Sequence, residues 1–173
     1  MRVAEVTDRK TRKAFLRVPR IIYRDDPTWV CPLDKEIESI FDPRSNVYFN
    51  HGEVTRWILY NQHNRLIGRV AAFIDHNTAF KYDQPTGGMG FFECIRDQDA
   101  ARFLFETAKE WLRQRGMMAM DGPVNFGETD KYWGLLVEGF THPSYEIAYN
   151  PPYYRELFET YGKTEEVKVE IIA

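Results

Sequence analysis

A chain of 173 residues, 43% hydrophobic and 28% charged, is long enough for one domain with a sizeable core and too apolar to be disordered. Its 23 Lys and Arg against 26 Asp and Glu give a net charge of −3, without the overall electrostatic footprint of a nucleic-acid binder. No apolar run reaches the roughly 18 residues of a membrane span, and the opening MRVAEVTDRK lacks the apolar stretch of a secretion signal, so a cytoplasmic protein with neither nucleic acid nor membrane as partner is expected.

Residues 3–6 suit a short opening strand. Asp8 is placed to cap a helix over 9–23, with Phe15, Leu16 and Ile22 among its apolar positions. Pro19 interrupts that pattern and is expected to shorten or kink the helix. Asp25-Asp26-Pro27 reads as a turn, 34–41 as a short helix and 42–46 as a loop. The period then changes. Residues 53–60 (EVTRWILY) and 66–75 (LIGRVAAFID) are β-rich and flank a polar turn, which predicts a hairpin. After a polar loop, 88–95 (GMGFFECI) is a further strand. Gly87-Gly88-Met89-Gly90 precedes that strand instead of following one, so a tight turn explains it better than a dinucleotide fingerprint.

From 97 to 115, Ala101, Leu104, Phe105, Ala108 and Leu112 recur at helical spacing, with Gly116 as a C-cap. Residues 117–120 form a strand stopped by Gly122-Pro123. A long irregular stretch leads to Pro151-Pro152, which open a helix over 153–161 ended by Gly162; residues 167–172 close the chain as an apolar strand. An antiparallel meander followed by a β-α-β crossover makes the fold class mixed α/β, a largely antiparallel sheet with helices on both faces. The apolar ending fits residues 1–173 being one domain that is the N-terminal part of a longer protein.

Local chemistry narrows the classes further. Cys31 and Cys94 are far apart and belong to no CxxC pair, which fits a reducing compartment. His51, His63, His76 and His142 share no helical spacing, so no metal site is expected. The three serines lack a GxSxG context. Residues 121–140 gather polar and aromatic groups between glycines, and Asn125 and Trp133 are the candidates there for binding a substrate. Asn125 can equally cap the loop, and Trp133 can stack on a partner domain.

GRVAAFIDHN (68–77), GFFECIRDQDAARFLFETAKEWLRQRGM (90–117), DGPVNF (121–126) and NPPYYRELFETYGK (150–163) together resemble the GNAT-like N-acyltransferase superfamily, and within it a bacterial N-acetyltransferase group whose chains are generally longer. The resemblance covers nearly the whole chain. It implies a sheet opened between its fourth and fifth strands, here 88–95 and 117–120. The pantetheine arm of acetyl-CoA or another acyl-CoA co-substrate would lie in the opening. Backbone groups of Phe91, Phe92, Cys94 and Ile95 would hold it, and Arg96 would contact phosphate.

The sequence departs from that pattern in two places. The family's glycine-rich phosphate loop corresponds here to Arg96-Asp97-Gln98-Asp99-Ala100-Ala101, which has no glycine. Asp97 and Asp99 put carboxylates where a pyrophosphate would sit, and a plainly capped helix is the alternative reading. The tyrosine that protonates the leaving thiolate in many such enzymes is replaced by Phe158. Tyr154, one turn earlier on the same face, is the substitute candidate. Glu93, between Phe92 and Cys94, is the candidate general base, with an ion pair to Arg69 or Arg96 as its structural alternative. Two functions follow. One is an acyl-CoA-dependent N-acyltransferase passing an acyl group directly to a small-molecule amine. The other is a non-catalytic GNAT-like module that has lost its CoA loop and binds another ligand or pairs with a missing C-terminal domain or a second copy.

Overall fold

The computed structural model describes residues 1–81, 83–127, 134–143, 147 and 149–165. Five strands form one sheet in chain order: β1 (Arg2–Glu5), β2 (Gly52–Tyr60), β3 (Leu66–Asp75), β4 (Thr86–Cys94) and β5 (Ala119–Asp121). The first four pair antiparallel, and β5 joins β4 parallel after the crossover through α3 (Gln98–Arg113). The mixed α/β architecture expected from the sequence is the one observed. The closing strand expected over 167–172 lies outside the described residues.

Helices cover both faces. On one, α1 (Arg9–Ile22) and α2 (Asp34–Ile40) bury Phe15, Val18 and Ile37 against Ile58. On the other, α3 and α4 (Tyr154–Glu165) bury Leu104, Phe105, Leu112 and Phe158 against Phe92, Val70 and Met89. Each such apolar side chain contributes about 1.5–3 kcal/mol by leaving water. The rings of Phe92 and Phe105 stack at 4.7 Å, with Phe158 set edge-on to both. Gly162 does not end the last helix, which runs through it to Glu165. With Tyr161 buried against Phe105 just before it, packing outweighs the roughly 1 kcal/mol that a helical glycine costs.

Asp8 caps α1, accepting the Thr11 N–H at 2.7 Å while Thr11 returns a bond to the Asp8 N–H. Pro19 neither ends nor shortens this helix, which continues to Ile22. A proline has no N–H, so the Phe15 carbonyl four residues earlier loses its helical donor. The buried guanidinium of Arg69, on β3, supplies the replacement through Nη1 at 3.1 Å. The carbonyl freed by the helix defect thus becomes an acceptor for the buried cation.

β4 carries one extra residue. Its pairing with β3 steps from Arg69↔Glu93 to Ala71↔Gly90, three residues against two. Phe91 takes up the surplus at φ 51°, a left-handed conformation costly for an L-residue. Its ring packs against Phe41 at 4.9 Å and Phe15 at 6.3 Å, which holds the bulge in place. Beyond the bulge Phe92 and Cys94 face α3, whereas Phe91 and Glu93 share the α1 side.

β5 accompanies β4 only from Thr86 to Gly88. The chain then crosses close over β4, with the Val124 N–H bonded to the Met89 carbonyl at 2.8 Å. Gly90 permits that crossing, because a Cβ there would overlap the Val124 carbonyl oxygen. We therefore expect Gly90→Ala to lower unfolding stability by about 1–3 kcal/mol, read as a fall in denaturant midpoint at unchanged m value. A midpoint equal to that of the parent chain would mean that this crossing is not tight.

Candidate active site

Where β5 leaves, the edge of β4 is bonded by side chains instead of a strand. The Cys94 N–H donates to the Tyr154 hydroxyl at 2.8 Å, and the Tyr153 hydroxyl donates to the Cys94 carbonyl at 2.7 Å. Two adjacent tyrosines at the start of α4 thus take the places of a neighbouring strand's acceptor and donor. The Tyr154 hydroxyl in turn donates to Glu93 Oε2 at 2.8 Å. Its ring packs edge-on against Phe92 at 5.3 Å, on the α3 side, so Tyr154 reaches through the opening to a carboxylate on the other side.

Glu93 is buried, as are its neighbours Arg69 and Tyr154. Arg69 Nη2 approaches Glu93 Oε1 at 3.5 Å. Burial pushes the Glu93 pKa upward, opposed first by the Arg69 charge and then by the hydroxyls of Tyr154 and Tyr23. Burial also holds the Tyr154 and Tyr23 phenols well above their ordinary range, with the Glu93 charge adding to the effect. Both therefore stay protonated and serve as donors. The Cys94 thiol is raised by the same burial, and a fully buried strand cysteine of this kind is core, not a nucleophile.

Glu93, Tyr154 and Arg69 face a cavity of about 410 Å³ enclosed by the segment from Trp29 to Leu33, α2, the bulged half of β4 and the stretch after β5. Its volume is in the range of small-molecule sites. Most of the wall is apolar, including Trp29, Ile37, Phe91, Val124 and Leu135. Asn150 pins the far wall, with Oδ1 accepting the Leu136 N–H at 2.8 Å and Nδ2 donating to the Leu136 carbonyl at 3.1 Å. Tyr23 stacks on Trp29 at 4.8 Å, and its hydroxyl reaches the Tyr149 carbonyl at 3.3 Å.

The N-terminus of α3 is occupied by its own cap. Asp97 Oδ1 accepts the Ala100 N–H at 2.9 Å, and Asp99 adds a second carboxylate in the first turn. An anionic group meets negative charge there. Arg96 is exposed and pairs with Glu156 at 3.3 Å.

The remaining sequence candidates fall as follows. Phe91 lines the cavity, Phe92 borders it from beneath α3, and the Ile95 N–H is bonded to the Ile67 carbonyl at 3.0 Å. Asn125 is buried, with no hydrogen-bond partner for Oδ1 among the described residues, and it is not among the cavity's lining residues. Trp133 lies outside the described residues. Sequence reasoning missed Tyr23, Tyr149, Asn150 and the tie from Pro19 through Phe15 to Arg69. The one signal available for that tie was a proline inside an otherwise helical pattern.

No family model matches the sequence. A bacterial ceramide synthase of Caulobacter vibrioides is 36% identical over 147 residues, which are 82% of this chain and 37% of that protein. Protein YghO of Escherichia coli is 30% identical over 151 residues, 87% of this chain and 38% of that protein. The chain thus spans less than two fifths of the length of either relative. Among solved structures, a predicted acetyltransferase with acetyl-CoA from Clostridium acetobutylicum superposes with a TM-score of 0.51 at 16% identity, over 79% of this chain and 96% of that one. With that superposition beside its own strand order, its crossover through α3 and the parting of β4 from β5, this chain carries the GNAT-like N-acyltransferase fold.

Proposed function

We propose that the chain forms the acyl-transfer site of an acyl-CoA-dependent N-acyltransferase whose amine substrate carries a long apolar chain. One observation carries this reading: a buried carboxylate, Glu93, stands at the open edge of β4 with an apolar cavity in front of it. The relative named as a bacterial ceramide synthase supports the substrate class, since a ceramide is a long-chain amino alcohol acylated on nitrogen. The apolar wall suits such a chain and the carboxylate suits its ammonium head.

In this mechanism Glu93 takes a proton from the bound ammonium, leaving a free amine. The nitrogen lone pair attacks the thioester carbonyl carbon, the C–S bond breaks and the thiolate departs with the electron pair. The amide nitrogen releases its second proton, which restores the balance by protonating the thiolate. No covalent enzyme intermediate forms. Tyr154 acts as a positioning residue, because its hydroxyl already donates a hydrogen bond to Glu93 and accepts one from the Cys94 N–H. The pantetheine arm would enter along the edge vacated by β5, among the backbone groups of Phe91 and Phe92. The diphosphate would lie away from the start of α3, where Asp97 and Asp99 repel it.

The same acidic helix start favours the second reading, a module that no longer binds CoA. Calorimetry separates the two. The proposal expects the parent chain to bind acyl-CoA, and Asp97→Gly/Asp99→Gly to bind it more tightly by relief of repulsion. Binding by the variant alone, or by neither protein, would favour the module.

Turnover of acyl-CoA with a long-chain amino alcohol, followed by mass spectrometry of the amide, tests the base. We expect Glu93→Gln to lower kcat by roughly 10²–10⁴-fold. The parent rate should rise with pH along a limb whose midpoint lies above the ordinary carboxylate value, because burial raises the Glu93 pKa and only its ionised form accepts a proton. Tyr154→Phe should move that limb further up, since it removes a donor that favours the ionised form. Parent-like turnover in Glu93→Gln would remove Glu93 from the chemistry.

A further inference from the structure

The −3 net charge conceals a strongly cationic element. From Arg9 to Arg24 the chain contains seven Lys or Arg and no Asp or Glu. At 3.6 residues per turn, Arg9, Lys10, Lys13, Arg17 and Arg20 fall within an arc of about 100°, and Arg24 follows just past the end of the helix. All six are exposed, while the opposite side of α1 buries Phe15, Val18 and Pro19 against the sheet. The apolar face of this helix is therefore already used, and the cationic stripe points outward.

Neighbouring acids neutralise only part of it. Arg20 pairs with Asp34 at 2.7 Å and Arg24 with Asp25 at 3.3 Å, both at exposed sites. Asp42 is bonded to Arg44 and lies within electrostatic reach of Arg12. Asp8 is engaged in capping α1 and feels Lys10 weakly. Among the described residues, Arg9, Lys10, Lys13 and Arg17 make no ion pair.

Beside the stripe the surface becomes apolar. The Arg20–Asp34 pair places the segment before α2 against the C-terminal half of α1. That segment carries Val30 at 57% and Leu33 at 63% exposure, and both line the cavity that holds Glu93; Ile147, at 53% exposure, lines it as well. Large apolar side chains left in water at a cavity mouth, beside the C-terminal end of a cationic stripe, match the two components of an anionic bilayer: charged headgroups above and hydrocarbon beneath. A nucleic acid would complement the cations and leave the apolar rim without a partner.

We propose that this face docks on an anionic phospholipid surface, with the α1 stripe on the headgroups and Val30 and Leu33 in the acyl boundary, so that the cavity opens toward lipid. The proposal needs no chemistry at Glu93 and can hold or fail independently of it. The test is co-sedimentation of the full chain, without acyl-CoA, with vesicles of phosphatidylcholine alone or of equimolar phosphatidylcholine and phosphatidylglycerol. Binding to the anionic vesicles alone is expected, weakening as salt rises. Arg9→Glu/Lys13→Glu/Arg17→Glu should weaken the vesicle partition coefficient on the order of a hundredfold at low salt. Val30→Ser/Leu33→Ser, which leaves the charge unaltered, should weaken binding while the parent salt slope is kept, and circular dichroism of both variants should match the parent. The proposal is overturned if the parent fails to pellet with anionic vesicles, if either folded variant pellets as well as the parent, or if the stripe retains a polyribonucleotide and no vesicle.

Discussion

The site depends on keeping one carboxylate out of water. Glu93 sits on a strand that keeps β3 on one side while its other neighbour has turned away, so on that open edge side chains take the place of a ladder. An ionised carboxylate in that position is costly unless a cation and hydrogen-bond donors meet it. Arg69 and Tyr154 meet it, and Arg69 is itself anchored through the Phe15 carbonyl that Pro19 leaves without a helical donor. A residue that breaks helices elsewhere here frees a carbonyl to accept from a buried guanidinium.

This arrangement sets stability against chemistry. Burial raises the Glu93 pKa in the folded chain above its value in the unfolded one. Its contribution to stability is therefore complete when it is protonated and is lost as pH rises through the folded pKa. The form that can accept a proton is the form the fold tolerates less well. The left-handed Phe91 belongs to the same pattern, since its conformational cost sets the register that turns Glu93 away from the α3 core and toward the cavity.

Local features were legible in the residues alone. The β-rich run LIGRVAAFID gives β3, and Asp8 gives the start of α1, because both depend on neighbours close in sequence. The resemblance located the opening between the fourth and fifth strands. The extra residue in β4 was not legible, because a bulge exists only relative to its partner strand. The course of α4 past Gly162 was missed because burial against α3 overrides a weak local preference. Glu93 and Tyr154 could each be nominated, but their 2.8 Å contact joins residues 61 positions apart, and only the tertiary fold brings them together. Arg69 could be named as a partner for Glu93, but its second anchor at Phe15 spans 54 residues.

The central claim is that Glu93 is a buried carboxylate with a raised pKa. It is measured most directly by following glutamate side-chain carboxyl ¹³C shifts in the folded chain as a function of pH. The account predicts one resonance with a midpoint above the ordinary glutamate value of 4.5, absent from the spectrum of Glu93→Gln. If every glutamate titrates at or below that value, Glu93 is solvated or fully compensated, and the account is wrong.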